Sequence, residues 1–291
     1  MPPLDTISQQ TDLYNNLYNL GYHQDLWISH STPLIEAVDA INAQARKAKE
    51  TPPLRSVLDV GCSHGLAVFR LWRRNLTASG VDISSVAIST AKRMRTDICD
   101  APDSPEAKQM TIHLSAQKRT SFLQGCQRRN CIGPCFQQAS ATALPFANCS
   151  FDAVISSDVL EHLPTRHVPE AIGELTRVAR RVLLLKISNR REGPTKQLDA
   201  LRRANRQSAR SLSRSSSENR ESHPELVGAV PRQLHLTVKP QSFWQREIER
   251  HPGWHYNQSL EDHNRWLALN RRHFCCHTVF RRRDEALCRA A

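Results

Sequence analysis

The chain has 291 residues, enough to bury a full core, and its 39% hydrophobic content contains no apolar run near the ~18 residues that a membrane-spanning helix needs. No basic stretch followed by an apolar one opens the chain, so no leader is read and an intracellular, cytoplasmic protein is expected; nine cysteines, an odd number in a chain this long, are read as reduced thiols. The net charge of +12 allows an acidic partner such as nucleic acid, but much of the excess lies in Arg190–Arg220 and in Arg281, Arg282 and Arg283, and a bias toward arginine codons would give the same balance.

Residues 1–53 precede the first strand and read as a helical extension. Leu13, Leu17 and Leu20 with Tyr14 and Tyr18 fit one amphipathic helix, and Leu34–Lys49 fits a second. The aromatic residues here serve either as a lid over a site or as packing on a sheet. Residues 54–291 form the main domain. It begins with Ser56–Gly65, SVLDVGCSHG, in which Val57, Leu58 and Val60 make a short strand, Gly61 and Gly65 bracket a tight turn, and Leu66, Val68, Phe69 and Trp72 start a helix. A strand, a glycine turn and a helix N-terminus together offer free N–H groups to a ligand at the carboxyl edge of a parallel sheet. A second strand, Ala78–Val81, ends in Asp82, at about the ~20-residue distance from the turn at which a carboxylate meets ribose hydroxyls.

Ser84 is a helix N-cap, with Ala87, Ala91 and Met94 on one face. From about 97 to 135 the periodicity dissolves, and Pro102 and Pro105 mark an irregular insertion. Phe136–Ala139 reads as the third strand, Phe151–Ser156 as a buried fourth, Val168–Val178 as a helix and Val182–Ile187 as a fifth strand. Residues 189–223 are rich in arginine and serine and read as a mobile insertion. Order returns at Leu234–Val238, a helix carries Phe243, Trp244 and Ile248, and His273–Phe280 alternates as a last, antiparallel strand. The fold expected is α/β: a doubly wound, Rossmann-like sheet of seven strands, mostly parallel.

The turn Asp59-Val60-Gly61-Cys62-Ser63-His64-Gly65 lacks G-x-G-x-x-G and resembles motif I, D-x-G-x-G-x-G, of class I S-adenosylmethionine-dependent methyltransferases, with Ser63 in place of the middle glycine. Leu144–Pro164, with its L-P-F, S-F-D and V-L-E-H-L series, strengthens that resemblance, which covers about Ser56–Ser188 and weakly Leu234–Phe280. The resemblance implies S-adenosylmethionine as cofactor, with Asp59, Gly61, Cys62 and Gly65 around its methionine part, Asp82 and Ile83 at the ribose, Ser140 and Ala141 at the adenine, and Asp158 beside the sulfonium. It also implies methyl transfer to an oxygen or nitrogen of a small-molecule or glycan-like acceptor.

His162 is the general-base candidate, since an imidazole titrates near neutral pH, although the E-H pair serves equally to orient its loop. Asp158, Glu161, His162 and the distant His235 resemble the metal ligands of small-RNA ribose methyltransferases, an alternative set beside the favoured metal-free reading. A catalytically silent, methyltransferase-like binding module is the third alternative. Cys126, Cys131 and Cys135, completed by Cys149 or His113, are loosely spaced for zinc, and free thiols are the preferred reading. Cys275-Cys276 reads as strand packing.

Overall fold

The computed structural model describes residues 6–22, 31–48, 52–112, 115–127, 131–191, 196, 198–204, 233–257, 277–282 and 288. Its centre is a seven-stranded sheet whose strands are β1 (Ser56–Val60), β2 (Thr77–Asp82), β3 (Phe136–Gln138), β4 (Phe151–Ser157), β5 (Ala179–Lys186), β6 (Trp254–Tyr256) and β7 (His277–Arg282). Their spatial order is 3-2-1-4-5-7-6, with strands 1 to 5 parallel and β7 antiparallel to both β5 and β6. The reversal between β1, which pairs with β2 and β4, and the outward path to β3 is a switch point, where ligands settle at the carboxyl ends of strands.

Strands β1 and β4 are buried along their whole length, because each is covered on both faces. One face carries α2 (Thr32–Ala48), α3 (Leu66–Trp72) and α4 (Ser85–Arg95), whose Ile35, Phe69 and Ala91 join Val57 and Ile155 in one core. The other face carries α7 (Val168–Val178) and α8 (Gln241–Glu249), whose Leu175 and Trp244 join Leu58, Val154 and Leu183. A smaller cluster sets Leu13 and Leu17 of α1 (Ile7–Asn19) against Leu198, Leu201 and Leu234. That satellite core roofs the carboxyl edge.

Four expectations change. The stretch 97–135 is mostly helical: a π-turn at Thr96–Asp100 is followed by α5 (Pro105–Thr111) and α6 (Ala116–Gln127). Its hydrophobic stripe is weak, and the start of α5 is set locally by the Ser104 hydroxyl capping the Ala107 N–H with Pro105 in the first turn. Leu234–Val238, where order was expected to return, is extended and joins no ladder, and the sixth strand is Trp254–Tyr256, a stretch the sequence did not mark. The last strand, His277–Arg282, runs two residues beyond Phe280, while residues 273–276 lie outside the described residues. The insertion at 189–223 lies largely outside the described residues, as do His113, Cys275 and Cys276.

The cysteines are the fourth correction. Cys99–Cys126, Cys131–Cys135 and Cys149–Cys288 are disulfides, and only Cys62 is a free thiol among the described residues. The three positions expected as reduced thiols or zinc ligands therefore have no sulfur available for a metal. Cys149–Cys288 joins residues 139 apart, tying the chain end to the start of β4. Closing so long a loop removes much entropy from the unfolded chain. The Cys149→Ser/Cys288→Ser protein is expected to lose about 3 kcal/mol of stability, read as a lower midpoint in urea without reductant.

Candidate functional site

Between the roof and the carboxyl edge lies a cavity of about 340 Å³. Its lining includes Asp59, Gly61, Cys62, Asp82, Ile83, Ser140, Ala141, Asp158, His162 and His235. The sequence-predicted residues thus meet in one place, with two exceptions. Gly65 stands behind the lining as the left-handed residue (φ 81°) that opens α3, and Glu161 is fully buried beneath the floor.

The floor follows from backbone chemistry. Gly61 (φ 82°), Ser63 (φ 51°) and Gly65 all occupy the left-handed region, so the serine where a third glycine was expected adopts the same hand of turn. The Gly61 and Cys62 N–H groups both donate to the Val81 carbonyl, at 2.8 and 2.9 Å, which ties the turn to β2. A Cβ at Gly61 would stand 2.2 Å from Val159 Cγ2, and one at Gly65 would stand 2.4 Å from Phe136 Cε1. Gly61→Ala is accordingly expected to weaken cofactor binding at least tenfold, measured by calorimetry, because the turn must shift away from the loop after β4.

Asp82 closes β2 and holds the turn: its two carboxylate oxygens accept the Ser63 and Ser84 N–H groups, each at 2.9 Å. Burial drives its pKa up to about 6, opposed by those hydrogen bonds. Asp59 is raised further, to about 7, by burial and then by the neighbouring Asp82 charge, and its Oδ1 has no hydrogen-bond partner among the described residues. Two buried carboxylates that resist ionising next to each other are a ready-made site for a cationic ligand. Ser140 lies beyond them, its hydroxyl 2.8 Å from that of Thr142.

The opposite wall is built from the tyrosines of the N-terminal segment, which the sequence left as either lid or packing, and from Gln10, which it did not single out. Gln10, Tyr14 and Tyr18 repeat every four residues along α1 and line the cavity, joined by Tyr22. Asn15 Oδ1 accepts from the Ser84 hydroxyl at 2.8 Å, fastening the helix to the start of α4. The Tyr14 hydroxyl is 2.8 Å from His162 Nδ1, and Gln10 Nε2 donates to the His162 carbonyl at 3.1 Å. His162 and His235 meet edge to face, their ring centroids 4.8 Å apart. The four-residue repeat was legible; its target, 148 positions away, was not.

The loop after β4 carries the strain. Asp158 has φ 55° and its carboxylate pairs with Lys186, a buried lysine at the end of β5. Glu161 Oε1 accepts the Ser188 N–H at 2.7 Å while Oε2 has no partner among the described residues, and burial, then the Asp158 charge, lifts its pKa to about 8. Of the four residues weighed as metal ligands, Glu161, His162 and His235 bring donor atoms within 4.8 Å of one another, while Asp158 is engaged by Lys186.

Residues 108–182 match the family model described as "Methyltransferase domain". No curated protein matches the chain. Magnesium protoporphyrin IX methyltransferase from Synechocystis PCC 6803, solved with S-adenosylhomocysteine, is similar at 17% identity, covering 87% of this chain and 91% of that one with a TM-score of 0.44. A protein provisionally named a sarcosine dimethylglycine methyltransferase, from Galdieria sulphuraria, is similar at 11% identity over 85% of this chain and 86% of that one, TM-score 0.44.

Proposed function

We propose that the chain is a class I S-adenosylmethionine-dependent methyltransferase that methylates an oxygen or nitrogen of a small-molecule or glycan-like acceptor, a reading supported by the match to a methyltransferase domain model over residues 108–182 and by the sheet order. The carrying observation is that one cavity is lined both by the acidic floor and by a tyrosine-held imidazole. The floor fits the cofactor: an unpartnered Asp59 oxygen faces the need of a cationic ligand, and Asp82 ends the strand beside the turn.

S-adenosylmethionine supplies an electrophilic methyl carbon when bound. The chain's own work is alignment and proton removal. Asp59, Gly61 and Cys62 hold the methionine part, Asp82 and Ile83 the ribose, and Ser140 with Ala141 the adenine, while Asp158 is held beside the reacting end by its pairing with Lys186. Helix α1 and the turn after it act as the lid, excluding water through Tyr14, Tyr18 and Tyr22. His162, clamped by Tyr14 and Gln10, meets the acceptor as one member of an imidazole pair completed by His235, and proton removal falls to that pair.

The test is S-adenosylhomocysteine release from S-adenosylmethionine over a panel of phenols, carboxylic acids, sugars and amines. Turnover that falls at least 100-fold in His162→Ala supports the reading, and turnover confined to RNA overturns it. RNA is the second reading, favoured by the convergence of Glu161, His162 and His235, and it requires that chelator abolish activity and manganese restore it. Among the described residues no helix is long and apolar enough to cross a membrane. The cytoplasmic location expected from the sequence competes with an oxidising compartment, which three disulfides favour. Alkylation of the protein in non-reducing lysate separates the two.

A further inference from the structure

Two imidazoles stand over the cavity, and their hydrogen bonds make them unequal. His162 Nδ1 faces a tyrosine hydroxyl, which both donates and accepts, so either nitrogen of that ring can carry the proton. His235 Nδ1 lies 2.5 Å from the carbonyl oxygen of Arg190. A carbonyl only accepts, so Nδ1 of His235 must be protonated, and in the neutral ring Nε2 is left as a lone pair. This is the less usual state of a neutral histidine, and the fold enforces it.

The enforcement comes from Glu161. Its side chain accepts the Ser188 N–H at 2.7 Å, fixing the loop after β5, and Ser188 Oγ in turn accepts the Arg190 N–H at 3.2 Å. Its backbone carbonyl accepts from the Leu236 and Thr237 N–H groups, at 2.8 and 2.9 Å, fixing the segment that carries His235. The Thr237 hydroxyl donates to the Leu163 carbonyl at 2.6 Å, and Leu234 is anchored under α1 in the roof cluster. One buried glutamate therefore braces both the carbonyl and the imidazole it orients. The same arrangement explains why Leu234–Val238 is ordered without joining the sheet.

We propose that His235 is the general base for methyl transfer, taking the acceptor's proton on Nε2, with Glu161 as its positioning residue and His162 orienting the acceptor. The proposal rests on the metal-free small-acceptor reading above. As the acceptor's lone pair forms the bond to the methyl carbon, the carbon–sulfur bond breaks and its pair stays on sulfur, giving S-adenosylhomocysteine. The acceptor's O–H or N–H pair remains on the acceptor and the proton passes to His235 Nε2, from which water removes it. Proton transfer of this kind contributes roughly 10²–10⁴-fold to a rate.

The experiment uses the full-length chain labelled with ¹⁵N-histidine, without and with S-adenosylhomocysteine, and long-range ¹H–¹⁵N spectra assigned with His162→Gln and His235→Gln. His235 is expected to carry its proton on Nδ1; a His235 signal with the proton on Nε2 overturns the proposal, and this reading needs no acceptor. Turnover of the best acceptor from the panel is expected to fall at least 100-fold in His235→Ala with the affinity for S-adenosylhomocysteine unchanged, and imidazole in the buffer is expected to restore part of it. His235→Asn keeps the Nδ1-side donor and serves as the control for folding. Loss of cofactor affinity, loss without imidazole rescue in a folded protein, or chelator-sensitive turnover overturns the base assignment. A chain that does not bind S-adenosylhomocysteine overturns the cofactor site while the tautomer measurement still reads His235.

Discussion

With Asp82 replaced by alanine, S-adenosylmethionine binding is expected to weaken by two orders of magnitude or more. The carboxylate does two things at once. It accepts the Ser63 and Ser84 N–H groups, so its loss frees the glycine turn on one side and the start of α4 on the other. Each oxygen retains a further lone pair, which the ribose reading assigns to the cofactor's hydroxyls. Hydrogen bonds to a charged group contribute about 1.5–3 kcal/mol each, and two of them exceed the ~2.7 kcal/mol that a 100-fold change requires. Calorimetry at pH 7.5 on Asp82→Ala and Asp82→Asn checks this. An affinity unchanged in both variants would remove the ribose assignment. A loss in the alanine protein with the asparagine protein intact would leave Asp82 only the task of holding the turn.

How far the site was legible depends on the range over which each residue acts. The run SVLDVG announced β1 and its turn, because three apolar residues and a glycine act within six positions, and Asp82 followed from the end of the next strand. The left-handed Ser63 shows that the turn is dictated by its ties to Val81 and Asp82 as much as by glycine count. Lys186 was hidden because it ends an apolar run, and only the fold brings it to Asp158. Cysteine pairing was equally illegible: Cys149 and Cys288 are 139 apart, and sequence alone cannot choose among connectivities. At three residues, β6 is too short to show alternation, and it exists because β7 offers a partner edge.

The free protein is expected to become more stable when Asp59 is replaced by asparagine, even as cofactor binding is lost. Asp59 is fully buried, its Oδ1 has no partner among the described residues, and burial together with Asp82 raises its pKa from 3.8 to about 7. The folded protein thus binds a proton more tightly than the unfolded chain does. Between pH about 4 and about 7 the native state holds more protons, so stability falls as pH rises through that window, by roughly 1.4 kcal/mol for each pH unit. The full cost, on the order of 4 kcal/mol, is reached only above pH 7, and Asp82, raised to about 6, adds a smaller cost of the same sign. Asparagine has no charge to desolvate, yet brings its own unsatisfied amide, which returns about 1–3 kcal/mol. Urea unfolding without cofactor should therefore show Asp59→Asn ahead of the wild type by about 1–3 kcal/mol at pH 8, with the advantage shrinking as pH falls and the order reversed by pH 4, where only the amide's cost is left. Saturating S-adenosylmethionine should reverse the order at pH 8, since only the wild type gains binding energy. A variant less stable than the wild type at pH 8 without cofactor would show that the Asp59 charge is already compensated in the free protein. The acidic floor would then not be poised for a cation.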